Sequence, residues 1–258
     1  MSVVSALVVL YNTLISDSPS VSYFISANIP VYVCDNTTNG NIKRSNVVLS
    51  QQLTNFYYLD MHGNEGLAKA YNKGIEKIST PYVIFSDDDT IYGSNYLPLV
   101  RTWIFSTHAD VLVPIVREVN SDTLISPCVY KHCRFAYLDS LESCPENFFA
   151  INSGLVVRRD IFDSYKYNEQ YFLEMIDYQF IRDMRKEHKN ILLMKDNLIY
   201  QHSSIYEDSY QSRIVRYNID KKDTKIFYSN GIRERTFYYL RIAYKRMKLV
   251  CEKFKCCH

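Results

Sequence analysis

The sequence lacks any apolar run near the roughly 18–20 residues that a membrane-spanning helix needs. It lacks the positive leader of a signal peptide, because its first basic residue is Lys43. It also lacks a charge excess: 30 Lys plus Arg oppose 28 Asp plus Glu, and the net charge of +2 excludes a uniformly basic nucleic-acid coat or an acidic tail protein. We therefore expect a protein that stays in the cytoplasm and binds no nucleic acid.

Paired cysteines and phosphate-binding loops are missing as well. The seven cysteines are odd in number and lack CxxC spacing, which argues against a disulfide scaffold and a zinc ribbon, so we expect reduced thiols. The segment Tyr11–Leu14, at the end of the first apolar run, contains no glycine and no basic residue. A dehydrogenase would need GxGxxG there, and a sugar nucleotidylyltransferase would need a glycine-rich basic loop. Neither enzyme class fits.

What is present predicts an α/β protein. With 258 residues, 47% of them hydrophobic, the chain can bury a full core as one large domain or two small ones. In the first hundred residues, short apolar runs alternate with helix-like stretches, as in a parallel sheet with crossover helices. The predicted strands here are Ala6–Tyr11, Val31–Cys34 and Tyr82–Ser86. Each ends in polar residues, at the edge where open α/β sheets bind ligands.

The pattern after residue 110 is less regular. The other predicted elements are helices at 67–78 and Tyr178–Glu187 and strands at Val111–Val116, Phe148–Val157, Ile191–Met194 and Leu198–Tyr200. The segment Arg117–Asn147 shows no sustained period, so it is either a loop-rich binding wall or a long excursion. The last twenty or so residues are helical in pattern.

Three adjacent carboxylates, Asp87, Asp88 and Asp89, follow the third predicted strand. Such charges repel one another unless a cation or hydrogen-bond donors compensate. Side chains at i and i+2 of a strand point the same way, so Asp87 and Asp89 can face one site. Hard oxygen ligands suit Mg²⁺ or Mn²⁺, which often complete their shell with phosphate oxygens and water. A metal site and a solvated acidic turn both stay open.

A longer pattern precedes these carboxylates. Residues 62–75 match NxGxxxAxNxGI, and a strand and DxDT follow. Further motifs are Val8–Asn12, Val33–Asn36, Asn152–Gly154 and Phe172–Phe180. Together they resemble family 2 glycosyltransferases of the GT-A fold, and within them the bacterial rhamnosyltransferase-like branch. The resemblance covers roughly residues 5–205 and implies a Rossmann-like, mostly parallel central sheet flanked by helices.

The resemblance also implies a division of labour along the chain. Residues 1–110 would form the half that binds a nucleotide sugar, and residues 111–205 the half that binds the acceptor and carries the catalytic base. Residues 206–258 would form a C-terminal helical extension. The implied cofactors are a divalent metal, Mn²⁺ or Mg²⁺, and a donor sugar linked to dTDP or UDP.

Site roles carry over from the family residue by residue. Asp35 would accept the ring N–H of the nucleobase, or else is simply a turn former. Asp87 would contact the ribose or the metal, and Asp89 would ligate the metal between the donor phosphates. Asn64 and Asn72 either position the donor or cap a helix. The remaining implied donor-binding residues are Tyr11, Asn12, Asp88, Ser153 and Gly154. The implied metal ligands are Asp87, Asp89 and His202, of which His202 could instead contact the diphosphate or be structural.

The candidate catalytic acids lie in Phe172–Phe180. An acceptor hydroxyl loses its proton as it attacks a sugar carbon, and a carboxylate within hydrogen-bond reach can take that proton. Asp177 aligns with the usual base of the family, and Glu174 shares its helical face three residues earlier. We predict Asp177 as the base and Glu174 as a positioning group. An acid that offsets the dipole of the following helix is the alternative, and both roles can coexist.

The C-terminal segment is strongly basic. Eight basic and two acidic residues lie between Arg233 and His258, so this segment carries +6 and residues 1–232 carry −4. The apolar residues that share one helical stripe are Phe237, Leu240, Tyr244, Met247, Cys251 and Phe254. A stripe with basic flanks can lie on an anionic membrane. Packing on the catalytic domain and dimerisation are the alternatives.

These features predict an inverting, metal-dependent glycosyltransferase of bacterial surface polysaccharide synthesis. The donor sugar would be rhamnose or galactofuranose, and the acceptor a saccharide or a lipid-linked saccharide. The enzyme would work at the inner face of the plasma membrane. A non-catalytic nucleotide-sugar-binding or membrane-surface scaffold protein is the alternative, against which the intact Asp87, Asp89 and Asp177 argue.

Overall fold

The computed structural model describes residues 2–202 and 210–255. The strands are β1 (Val4–Leu10), β2 (Val31–Asp35), β3 (Phe56–Asp60), β4 (Tyr82–Asp87), β5 (Ile91–Tyr92), β6 (Val111–Glu118), β7 (Leu124–Ser126), β8 (Cys128–Lys131), β9 (Arg134–Tyr137), β10 (Leu155–Arg158) and β11 (Ile191–Gln201). The α-helices are α1 (Pro19–Ser26), α2 (Gly40–Ser50), α3 (Leu67–Ile75), α4 (Tyr96–Thr107), α5 (Ile176–Lys186), α6 (Tyr210–Phe227) and α7 (Ile232–Lys255), and short 3-10 helices lie at Ile15–Asp17 and Arg159–Asp163.

One mostly parallel sheet organises the described part of the chain. Its strand order is β3-β2-β1-β4-β10-β6-β11-β5, with β7 paired to β6, and β8 and β9 form a separate hairpin. The pairs β1–β2, β1–β4, β2–β3 and β6–β11 are parallel, whereas β10 is antiparallel to both β4 and β6. The predicted α/β class with a mostly parallel sheet is therefore confirmed.

Helices cover both faces of the sheet. Every residue of β1 is buried, and its side chains alternate between two apolar clusters. Leu7 and Val9 pack in the cluster that includes α3 and α5, and Ala6 and Val8 pack in the cluster that includes α1 and α4. Burial on both faces explains the nearly continuous apolar runs of the central strands. It also leaves the carboxyl ends of those strands as the place where polar residues can gather.

Several element boundaries differ from the sequence prediction. The strand predicted from Phe148 begins only at Leu155, because Leu155 N–H donates to Asn152 O and closes a turn there. The segment Arg117–Asn147, predicted to be irregular, contains the β8–β9 hairpin. The two short strands predicted at Ile191–Met194 and Leu198–Tyr200 form a single strand, β11, whose pairing register with β6 shifts between Leu193 and Leu198.

The buried face of α7, which packs on α6, differs from the apolar stripe that the sequence predicts. Tyr238 and Ile242 of α7 are buried, whereas Leu240 and Met247 of the predicted stripe are 67% and 60% exposed. Arg241 donates to the buried Asp220 of α6, which turns this face of α7 inward. The side chain of Phe254, also predicted in the stripe, lies outside the described residues. Within residues 2–202 and 210–255, no helix is long and apolar enough to cross a membrane.

Candidate active site

A cleft of about 760 Å³ opens at the carboxyl ends of β1 and β4. Its walls come from the loops after these strands, the start of α3, the segment leading into α5 and one side of α6. The predicted site residues that line it are Tyr11, Asn64, Asp87, Asp88, Asp89, Glu174 and Asp177. Seven predicted residues separated by up to 166 positions thus come together at the sheet edge that the strand pattern indicated.

Two donors hold the Asp87 side chain. Its Oδ2 accepts from Ser153 Oγ at 2.6 Å and from Gln201 Nε2 at 2.8 Å. Burial raises the pKa of Asp87, and these two hydrogen bonds oppose that shift. Ser153 therefore acts through Asp87 and does not itself line the cleft. Gln201, at the end of β11, was not predicted, although a polar residue at a strand end is the signal that could have identified it.

Asp88 and Asp89 have fewer hydrogen bonds than Asp87 to stabilise their charged forms. Burial raises the pKa of Asp88, against a hydrogen bond from Thr13. Burial, together with the charges of Asp87 and Asp88, raises the pKa of Asp89 to about 7. Among the described residues, the buried Oδ1 of Asp89 has no hydrogen-bond partner. The loop is nevertheless fixed, because Ser18 Oγ donates to the Asp88 carbonyl and Ser20 Oγ to the Asp87 carbonyl, each at 2.6 Å.

This arrangement fits a divalent cation. An unpartnered carboxylate oxygen beside two other acids is an environment that a positive charge would stabilise, and carboxylates are ligands that Mg²⁺ and Mn²⁺ accept. In the part of the chain that the structure describes, no three His, Cys, Asp or Glu side chains assemble as metal ligands. The predicted trio of Asp87, Asp89 and His202 is therefore not formed. Neighbouring residues of a strand alternate in direction, and it is Gln201 whose side chain reaches Asp87.

Asp177 lies in the first turn of α5. Burial is the main cause that raises its pKa to about 7, and the charges of Asp87 and Glu174 add to the shift. The N–H of Tyr178 donates to Asp177 Oδ1 at 2.9 Å and partly stabilises the charged form. A carboxyl group with a pKa near neutrality can accept a proton at physiological pH and later release it. The electrostatic influence of Asp87 on Asp177 agrees with their place in one cleft.

Glu174 is engaged with α6. Its Oε1 accepts from Arg216 Nε at 3.3 Å, and its backbone N–H donates to Asp223 Oδ2 at 2.9 Å. The side of α6 that faces the cleft contributes Gln211, Ser212, Val215, Arg216 and Ile219. Sequence analysis missed this wall because α6 carries no motif and its apolar residues follow no strong helical stripe.

Asp35 is buried away from the cleft. It is 0% exposed, and its oxygens accept from Thr37 N–H at 2.8 Å, Asn46 Nδ2 at 3.0 Å and Tyr58 OH at 2.8 Å. These bonds tie the end of β2 to α2 and β3. The contact with a nucleobase that the resemblance implies for Asp35 stays a prediction, and the neighbouring Asn36 lines the cleft.

Asn12 and Asn72 are also structural in this molecule. Asn12 Oδ1 accepts from the backbone N–H groups of Thr38 and Asn39, which shapes the loop before α2. Asn72 donates to Tyr167 O and accepts from Tyr167 N–H, both at 3.0 Å, and so fastens α3 to the segment before α5. Neither residue lines the cleft, so donor contact predicted for them is not supported.

Gly154 holds the sheet together beneath the site. Its φ is +71°, and a Cβ there would come within 2.6 Å of Ile199 Cδ1. Its N–H donates to Phe85 O at 2.8 Å, and its carbonyl accepts from Tyr96 OH at 2.8 Å. The absence of a Cβ thus leaves room for the side chains of Ile199 and Pro114 at the point where the chain enters β10. Gly154 does not line the cleft as a donor-binding residue.

The fold and the acidic strand ends define the class of protein: the GT-A fold of glycosyltransferases. Residues 25–166, more than half of the chain, match the profile described as glycosyl transferase family 2. The chain belongs to that family, and its predicted membership is confirmed. No curated protein matches the chain closely enough to count as a relative.

Solved structures support the fold. TarS of S. aureus has a TM-score of 0.60 and 17% identity, over 94% of this chain and 43% of that one. Residues 1–349 of TarS in complex with UDP-GlcNAc have a TM-score of 0.59 and 16% sequence identity, over 94% of this chain and 71% of that one. GalNAc-T7 with UDP, GalNAc and Mn²⁺ has a TM-score of 0.62 and 11% sequence identity, over 88% of this chain and 50% of that one. The chain thus spans less than half of the first of these TarS chains.

Proposed function

We propose that this protein is an inverting, metal-dependent glycosyltransferase that moves a sugar from a nucleoside diphosphate to an acceptor hydroxyl. The observation that carries the proposal is that Asp87, Asp89 and Asp177 line one cleft. Asp87 and Asp89 come from the end of β4 and Asp177 from α5, so two separate elements supply the acidic cluster and the candidate base. The family membership supports the same reaction class.

The proton of the attacking hydroxyl would pass to Asp177. Its pKa of about 7 suits a group that must be ionised before transfer and must then hold a proton. Asp87, oriented by Ser153 and Gln201, and Asp89, with its unpartnered Oδ1, would hold the divalent cation. When bound, that cation supplies neutralisation of the charge that develops on the departing diphosphate. No covalent bond to the enzyme is needed, since direct attack inverts the sugar carbon.

The donor would bind along the sheet edge. Tyr11, Thr13, Asn36 and Asn64 line the cleft next to the acidic cluster and offer an aromatic ring and polar groups to a nucleoside. The complexes of TarS with UDP and UDP-GlcNAc, and of GalNAc-T7 with UDP and Mn²⁺, support a nucleoside diphosphate sugar with Mn²⁺ or Mg²⁺. We propose UDP or dTDP as the nucleotide and rhamnose or galactofuranose as the sugar, following the rhamnosyltransferase-like branch.

The acceptor would enter between the α5 side of the cleft and α6. A saccharide hydroxyl there would lie near Asp177, and Leu173, Val215 and Ile219 offer apolar surface to a sugar face. We propose a saccharide or lipid-linked saccharide of bacterial surface polysaccharide synthesis. The exposed apolar residues of α7, beside its basic residues, would bring the enzyme to an anionic membrane at the inner face of the plasma membrane.

A donor screen tests the proposed function. Thermal shifts are measured with dTDP- and UDP-sugars, with and without Mn²⁺, and release of nucleoside diphosphate is followed with each donor that stabilises the protein. We expect stabilisation that needs the metal, and release that increases with a saccharide acceptor. Stabilisation without release from any donor would favour the non-catalytic alternative. Absence of any shift would contradict the proposal.

A further inference from the structure

Asp223 of α6 is a buried carboxylate that binds three consecutive peptide groups. The side chain is 0% exposed, and it accepts from the N–H groups of Phe172 at 3.1 Å, Leu173 at 2.8 Å and Glu174 at 2.9 Å. Successive N–H groups that converge in this way form an anion-binding nest. Here the anion is a side chain of the protein, and it lies directly behind the segment that carries Glu174.

The same segment is tied to the donor-binding side of the cleft. Phe172 O accepts from Leu67 N–H at 2.7 Å, at the start of α3. A Cβ on Gly66 would lie only 2.7 Å from Phe172 O, and the φ of Gly66 is +83°. This glycine therefore permits the close approach of α3. Phe172 is held from both sides, by α3 through its carbonyl and by Asp223 through its N–H.

The anchored segment leads directly into the candidate base. Glu174 is followed by Met175, whose left-handed φ of 66° begins α5, and Asp177 lies in the first turn of that helix. A fixed peptide plane at residues 172–174 thus limits where α5 can begin. A displacement of this segment would move Glu174 and Asp177 relative to Asp87 and Asp89, which belong to β4 and its loop.

We propose that Asp223 is a positioning residue that holds the 172–174 segment, and through it Glu174 and Asp177, in the geometry that transfer requires. It touches neither donor nor acceptor, since it does not line the cleft. The role of the segment in transfer rests on the proposed function, whereas the anchoring itself does not. The C-terminal helix α6 is on this account an integral part of the catalytic unit.

The chain offers a matched control three residues away on the same helix. Asp220 is 2% exposed and is likewise fully paired, but its partners are Arg241 and Lys245 of α7. Removal of either carboxylate takes away a buried acceptor and lowers stability, although the partners left behind are backbone N–H groups for Asp223 and the partly exposed Arg241 and Lys245 side chains for Asp220. The two residues differ in what they hold: Asp223 holds the segment before α5, and Asp220 holds α7.

The experiment compares Asp223→Ala, Asp223→Asn and Asp220→Ala in the full-length protein. It measures hydrogen exchange of amides 172–174, the Kd of UDP or dTDP with Mn²⁺, and the rate of nucleoside diphosphate release. For Asp223→Ala we expect exchange to quicken about tenfold or more and release to fall roughly 10–100-fold, because a small misplacement of the base slows transfer. The Kd of the nucleotide should change less than about threefold, because other elements form the wall of the cleft where the nucleotide would bind.

Asp223→Asn should change both amide exchange and nucleotide release less than Asp223→Ala does, because its amide oxygen can still accept from the N–H groups of Leu173 and Glu174. Asp220→Ala should leave amide exchange at 172–174 and nucleotide release close to those of the unaltered protein, even if its melting temperature falls as far as that of Asp223→Ala. Unchanged exchange in Asp223→Ala, or an equal loss of release in Asp220→Ala, would overturn the inference. If the unaltered protein releases no nucleotide from any donor, the proposed function fails, and exchange alone still decides the anchoring.

Discussion

The four aspartates of the cleft, Asp87, Asp88, Asp89 and Asp177, lie in surroundings that disfavour their ionised forms. Burial raises the pKa of both Asp89 and Asp177 to about 7, and in each case neighbouring acids contribute. Ordinary surface carboxylates ionise near pH 4. Groups with such shifts are common where charge is needed for chemistry, since folding alone would favour their replacement.

Asp177→Asn tests the base directly. The amide keeps the shape of the side chain but cannot take a proton, so nucleoside diphosphate release should fall by about 10²–10⁴-fold. The Kd of the nucleotide should stay within a small factor. In the unaltered protein, release should rise with pH as Asp177 ionises through about 7. A variant that turns over at the original rate would move the base to another residue.

Asp89→Asn tests the electrostatic cost of the acidic cluster. The folded-state pKa of Asp89 is raised above its ordinary value, so its contribution to stability is lost as pH rises through about 7. At pH 8 without metal, the variant should be more stable to denaturant by on the order of 1–2 kcal/mol, after allowance for solvent screening. At pH 3, below the ordinary pKa of an aspartate, the two proteins should be nearly equal, because Asp89 is then protonated in both the folded and the unfolded state. Equal stability at pH 8 would contradict the strain assigned to this group.

Single residues divide sharply in how well the sequence predicts them. Asp87, Asp89 and Asp177 were predictable because strand ends and a motif point to them, and all three line the cleft. The burial of Asp35 was not predictable, because the groups that donate to its oxygens, Asn46 and Tyr58, belong to elements whose contacts no local pattern encodes. Asp223 lies among charged residues of α6, and its partners are 49–51 positions away.

At the scale of elements, the central strands follow directly from sequence because they are buried on both faces. The orientation of α7 does not, since apolar residues recur on more than one of its faces. The packing of α7 on α6 sets this orientation, because Arg241 donates to Asp220 of α6. The face with Tyr238 therefore turns inward and the face with Leu240 turns outward. The alternative that the predicted stripe packs on the catalytic domain therefore does not hold for Leu240, Tyr244 and Met247.

Vesicle binding tests the outward face of α7. The double variant Leu240→Glu with Met247→Glu should reduce binding to vesicles rich in anionic lipid by about tenfold or more, because it removes apolar contact and adds repulsion. Phe105→Glu on α4 is the control, since Phe105 is similarly exposed at 63%. Binding should also weaken in high salt and on neutral vesicles. Equal binding by the double variant and the control would exclude this face as the membrane contact.

At the scale of the whole molecule, one sheet edge gathers parts that are far apart in the chain. The proposed donor side comes from residues before 90, the candidate base from α5 and the outer wall from α6. The order of strands explains the first group, because parallel strands end at the same edge. The closure of the cleft by α6 depends on tertiary contacts such as that of Asp223, which no spacing in the sequence announces.

Titration calorimetry of UDP and dTDP, in Mn²⁺ and in chelator, tests whether the acidic cluster binds a nucleotide together with a divalent cation. We predict that one nucleotide binds the unaltered protein at least about tenfold more tightly with Mn²⁺, because Asp87 and Asp89 would hold the cation and its charge would favour binding of the phosphates. Asp89→Asn should lose most of this difference while keeping the weaker, metal-free binding. An affinity that is the same with and without Mn²⁺, or a difference that survives intact in Asp89→Asn, would contradict the account.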